Sequence, residues 1–183
     1  MDPKETALSS KTLFEGRIVT LRVDEVELDS GHRTTREVIT HAPAVALIAL
    51  TDRGEIFLVR QYRHPVGRVI LEIPAGLVEP GEEPRETARR ELMEEVGQDA
   101  GRIEEIGRFY SSPGFSDEVI ILFLATELTP RRLEADDDED LRVLSLPLED
   151  FAQALDEEEI KDSKTVAALW WLQAKGLAPC SGR

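Results

Sequence analysis

Apolar and polar positions alternate through the first part of this chain and then give way to continuous apolar runs. Residues 1–10 read as a loose leader. Over residues 11–40, segments such as 18–23 and 26–28 alternate as half-buried strands do, and Asp29-Ser30-Gly31-His32 supplies a hairpin turn before a returning strand at 33–40. This segment holds few large apolar residues, so it must pack on something else, either the main domain or a second subunit. Residues 44–50 form an unbroken apolar run, the pattern of a buried strand, and Pro43 marks where it begins. Asp52-Arg53-Gly54 turns the chain, 55–62 returns, and 69–73 gives a third short strand. Later strands are predicted at 103–111, 119–128 and 141–146, and helices at 148–155 and 163–175. Val166, Leu169, Trp170 and Leu172 form the apolar face of the last helix, and Phe109, Tyr110, Phe115, Trp170 and Trp171 read as packing residues. Strands, a central helix, more strands and closing helices predict an α/β fold with a mixed sheet.

The central helix belongs to residues 76–97, GLVEPGEEPRETARRELMEEVG. Gly76 and Gly81 allow tight turns, Pro84 suits a first helical position, and Gly97 is a stop signal. Ala88, Leu92 and Val96 recur every four residues as an apolar stripe. Arg90 stands four residues from both Glu86 and Glu94 and can balance them. Glu91 and Glu95 have no basic neighbour at helical spacing, and like charges four apart cost roughly 0.2–0.5 kcal/mol per pair. A hard cation bound by carboxylate oxygens accounts for that arrangement. His32, His41 and His64 show no ligand spacing.

Gly76, five residues, Glu82, seven residues, then Arg90-Glu91-Leu92-Met93-Glu94-Glu95-Val96-Gly97 resembles the Nudix box of the Nudix hydrolases. It departs only at Gln98, where the family usually has an aliphatic residue. Pro113, sixteen residues past Gly97 in Tyr110-Ser111-Ser112-Pro113-Gly114, is similar to the marker of the ADP-ribose pyrophosphatase branch. So are Val59-Arg60-Gln61-Tyr62-Arg63-His64-Pro65 and Leu71-Glu72-Ile73-Pro74-Ala75-Gly76.

The resemblance implies an α/β/α sandwich at 43–183, preceded by an N-terminal β extension at 1–42 that is swapped in a homodimer. It implies Glu91, Glu95 and the Ala75 carbonyl as metal ligands for Mg²⁺, with Mn²⁺ or Zn²⁺ as alternatives. Glu94 is then a further or water-mediated ligand, and Arg90 orients the glutamates. Glu139, in the acidic run 134–140, matches the mobile catalytic glutamate, with Asp137 as runner-up. Arg63 suits a phosphate. Arg36 and Glu37 match nucleotide contacts made from the partner subunit, and Leu77, Ser112, Gly114 and Glu118 are further substrate candidates. The implied reaction splits ADP-ribose into AMP and ribose 5-phosphate. The same chemistry on ADP-glucose or GDP-mannose is the near alternative, and a non-catalytic ADP-ribose sensor is the distant one.

At 183 residues and 41% hydrophobic, the chain suits one domain with a small extension. It has no apolar run long enough for a transmembrane helix and no apolar signal-peptide core near its start, so no membrane is expected. Its one cysteine, Cys180, fits a cytoplasmic protein. Lys and Arg number 22 against 37 Asp and Glu, a net charge of −15 that argues against nucleic acid as a partner.

Overall fold

The computed structural model describes residues 2–134, 141–156 and 160–178. The chain divides into two units: Met1–Pro43 with Phe109–Val119, and Ala44–Arg108 with Ile120–Arg183.

In the first unit, β1 (Glu5–Glu15), β2 (Val19–Leu28) and β3 (Arg33–His41) form an antiparallel sheet in that order. The predicted hairpin is present: the Gly31 N–H donates to the Leu28 carbonyl at 2.8 Å, and Gly31 has φ 78°. The expected loose leader is not. Glu5 pairs opposite Leu28 and the strand continues to Glu15, with Ser9 and Ser10 donating to Glu25 and Asp24. Every residue of β1 is exposed, so it lacks the apolar alternation by which a half-buried strand is read; backbone pairing and polar side-chain bonds define it. Val26 is the one buried residue among the described residues of this unit. The segment after residue 109 joins β3, where the Ile39 N–H donates to the Phe115 carbonyl at 2.7 Å. Tyr110 and Phe115 are exposed rather than packed, because this unit offers almost no core to receive them.

The second unit carries the mixed sheet. β4 (Ala44–Ala49) is buried throughout and runs parallel to β9 (Val119–Pro130) and antiparallel to β7 (Ala75–Leu77), in the order β7-β4-β9-β8, with β8 at Gln98–Tyr110. A continuous apolar run is what a strand covered on both faces requires. A second sheet has the order β10-β5-β6, from Leu141–Pro147, Glu55–Arg63 and Arg68–Glu72. The helix α1 (Pro84–Glu91) contacts β4 and β7, while α2 (Leu148–Asp156) contacts β5, β10 and α3 (Ser163–Ala174). The architecture is α/β, as the sequence pattern predicts. On α3, however, Trp170 is 70% exposed. The buried positions are Lys164, Thr165, Ala168, Leu169 and Leu172, a helical stripe from which Trp170 is rotated away.

Candidate active site

Two short segments of the second unit frame the site. After β6, Ile73 and Pro74 lead into β7, which pairs with β4 so that Gly76 lies opposite Val45. Pro84 then opens α1, and Ala88, Leu92 and Val96 are buried as the stripe predicts. The helix is not uniform. From Leu92 to Val96 it widens into a π-helical turn, closed by Gly97 at φ 74°. Such turns often occur at functional sites.

Arg90 is the hub. Its Nη1 donates to Glu91 Oε1 and Glu94 Oε2, both at 2.8 Å. Its Nε reaches Glu82 Oε1 at 3.2 Å, and its Nη2 reaches Glu82 Oε2 at 3.3 Å and the Leu77 carbonyl at 3.4 Å. Burial alone would lower the Arg90 pKa; the Glu82, Glu91 and Glu94 carboxylates outweigh it and hold the guanidinium well above the ordinary arginine value. The same contact draws Glu82 below the usual glutamate value. These bonds correct one expectation: Glu91 does have a basic partner, its own sequence neighbour. Helical spacing missed it because a long guanidinium at residue 90 folds back across its own turn. Glu95 also has a partner, accepting the Ala75 backbone N–H at 3.0 Å.

Gly76 explains how Glu91 fits. A Cβ on residue 76 would stand 1.9 Å from Glu91 Oε1, so only glycine lets that carboxylate lie against the strand. Glu91 and Glu95 are both buried. Two buried carboxylates, one against Gly76 and one held by the Ala75 N–H, are hard oxygen donors of the kind a divalent metal ion takes. Among the described residues no group of three acidic, histidine or cysteine side chains is already drawn together as a metal cluster; Glu94 is turned onto Arg90. The donor chemistry fits an ion bound by Glu91 and Glu95.

Arg63, at the end of β5, is half-exposed and holds Glu72 in a fork, Nε to Oε1 at 2.6 Å and Nη2 to Oε2 at 2.9 Å. That bond is the main reason its pKa is raised, with Glu72, Glu95 and Asp162 adding charge. Leu77 lies beside the hub through its carbonyl. Arg36, Glu37, Ser112, Gly114 and Glu118 belong to the other unit. There Arg36 bonds Glu5 at 2.5 and 3.1 Å, Glu37 is exposed, the Ser112 carbonyl accepts from Phe115 and Ser116, and Glu118 stands 3.4 Å from His41 Nδ1. Gly114 is exposed, with open space where a side chain would be. Glu139 and Asp137 lie outside the described residues.

Sequence reasoning missed the cluster of Glu72, Lys164, Asp162 and Thr165. A glutamate inside Leu71-Glu72-Ile73, and the helix-capping pattern Asp162-Ser163-Lys164-Thr165, were the available signals.

Residues 40–169 match the NUDIX domain, and residues 5–39 match the nucleoside diphosphate sugar hydrolase N-terminal domain. The chain is 43% identical over 174 residues to the ADP-ribose pyrophosphatase of Bacillus subtilis (strain 168), covering 94% of each. It is 44% identical over 172 residues to the methanol dehydrogenase activator of Bacillus methanolicus, covering 93% of each. Among solved structures it resembles an ADP compounds hydrolase, with TM-score 0.86 and 28% identity over 96% of this chain and 97% of that one.

Proposed function

We propose that this chain, which belongs to the Nudix family, hydrolyses the diphosphate bond of ADP-ribose to give AMP and ribose 5-phosphate. The observation that carries the reading is the Arg90 hub, which bonds Glu82, Glu91 and Glu94, with Glu91 lying against Gly76, while the Ala75 N–H holds Glu95. A diphosphate carries anionic oxygens that repel an incoming water. Mg²⁺ (Mn²⁺ and Zn²⁺ being alternatives) would neutralise those oxygens and lower the pKa of a bound water. Glu91 and Glu95, with the Ala75 carbonyl, are the groups that would hold it, and Glu94 is the proposed further or water-mediated ligand. Arg90 fixes Glu91 and Glu94, and the Ala75 N–H fixes Glu95, so the carboxylates need not reorganise during reaction. Arg63 contributes positive charge for a phosphate oxygen. Glu139, with Asp137 as the alternative, is the proposed proton acceptor for the attacking water.

Selectivity for adenine is supported by the relatives' names, and Arg36, Glu37, Leu77, Ser112, Gly114 and Glu118 are the proposed substrate contacts. Another nucleoside diphosphate sugar, such as ADP-glucose or GDP-mannose, is the second reading, favoured by the match of residues 5–39. The proposal includes a homodimer in the cytoplasm, with residues 1–42 as the swapped extension and 43–183 as the hydrolase domain. An edge strand, β1, exposed along its whole length and carrying Leu8, Leu13 and Phe14, is the kind of surface a second copy would cover.

Chromatography of products from ADP-ribose, ADP-glucose and GDP-mannose, each with Mg²⁺, tests the reading. The expected result is AMP from ADP-ribose at the highest kcat/KM. A preference for the guanine sugar would replace the leading substrate.

A further inference from the structure

Two cations converge on one buried carboxylate beside the site. Glu72 is 1% exposed and is held in the Arg63 fork described above. Lys164 Nζ donates to the same Glu72 Oε2 and stands 3.0 Å from Asp162 Oδ1. Burial pushes the Glu72 pKa up, but the Arg63 and Lys164 contacts outweigh it and leave the carboxyl below its ordinary value. Lys164 itself is only 9% exposed, whereas the Arg63 side chain reaches solvent.

The lysine is fixed from behind. Asp162 caps α3 by accepting the Thr165 N–H at 2.9 Å and the Thr165 hydroxyl at 2.6 Å. The same hydroxyl accepts the Ile73 N–H at 2.9 Å, and Ile73 follows Glu72 directly on the way to Ala75. Arg63 alone already satisfies both Glu72 oxygens. Burying an ammonium there carries a desolvation cost that offsets much of the stability a second cation adds.

We propose that Lys164 is a positioning residue: it fixes Glu72, and through Glu72 the guanidinium of Arg63, for contact with a substrate diphosphate. This rests on the phosphate-binding reading of Arg63. With Lys164 drawing on Oε2, the carboxylate cannot swing with the arginine. The Nε–Nη2 edge of Arg63 is therefore locked, and its Nη1 side is presented to a phosphate oxygen. Preorganising a long side chain in this way removes the ordering cost that substrate binding would otherwise carry.

The test is a double-mutant cycle of Lys164→Met and Arg63→Met, read in KM and kcat for ADP-ribose. Lys164→Met leaves Glu72 paired with Arg63 and so retains the fold; Lys164→Gln, which keeps an N–H donor, is the milder second variant. The expected result is a KM raised about tenfold, the size of one charge-assisted contact, with kcat changed by less than about twofold. In the Arg63→Met background, Lys164→Met should raise KM no further. An unchanged KM, or an equal rise with and without Arg63, overturns the relay. The same cycle is read in the ADP-ribose dissociation constant by calorimetry in EDTA. A wild type that binds ADP-ribose here and fails to turn it over once Mg²⁺ is supplied defeats the hydrolase reading, while a non-additive cycle in binding still supports the relay. A wild type with neither binding nor turnover overturns both.

Discussion

A methyl group on residue 76 would stand 1.9 Å from Glu91 Oε1, nearer than any non-bonded atoms approach. Gly76→Ala is therefore expected to displace the Glu91 carboxylate and cut kcat by about tenfold or more, while thermal unfolding changes little. Kinetics beside a melting curve would check this; full activity would mean that Glu91 is not used where it lies. Glu91→Gln and Glu95→Gln should each lower kcat by about 10²–10³-fold with the fold intact, as removal of a charge at the reacting centre does. Circular dichroism separates that result from misfolding. The box residues were legible in the sequence because their spacing is fixed. What was not legible was the pairing: the Arg90–Glu91 contact joins adjacent residues, which a helical wheel places on different faces.

The elements of the second unit could be read from pattern wherever burial imposes one. Residues 44–49 are buried on both faces and so run apolar without interruption, and α1 shows its stripe because one side meets β4 and β7. β1 could not be read, since no residue of it is buried. Nor could the Lys164–Glu72 pair, whose members lie 92 residues apart and meet only where the first turn of α3 reaches the end of β6. That pair sets a pH dependence. Glu72 has a folded pKa below its unfolded value, so its stabilisation is complete above the unfolded value and is lost as pH falls through the folded one. Lys164→Met should cost about 1–3 kcal/mol at neutral pH, and the gap from wild type should narrow below about pH 4. Urea unfolding across that range measures it; a gap that widens in acid would contradict the pairing. Gly97 ends the π-helical turn at φ 74°, with Arg132 Nε 3.0 Å from where a Cβ would sit. Gly97→Ala should destabilise by about 1–2 kcal/mol, seen as a lower urea midpoint.

At the scale of the whole molecule, one unit holds the buried core and the carboxylate site, and the other is a three-stranded sheet with a single buried side chain among its described residues. A sheet so poor in core gains stability chiefly from what covers it. Phe14→Asp, at an exposed apolar position of β1, is expected to convert the proposed dimer to monomers in sedimentation experiments. A wild type that sediments as a monomer would remove the swapped-strand reading while leaving the Arg90 hub untouched. In the proposed reading the hub and its carboxylates make a metal-dependent hydrolase of a nucleoside diphosphate sugar. That reading is tested most directly by turnover of ADP-ribose with Mg²⁺ against an EDTA control, with added phosphatase releasing inorganic phosphate from the products. The expected result is phosphate release that EDTA abolishes and excess Mg²⁺ restores. Tight binding of ADP-ribose without release under any divalent ion would contradict it and leave the chain a sensor.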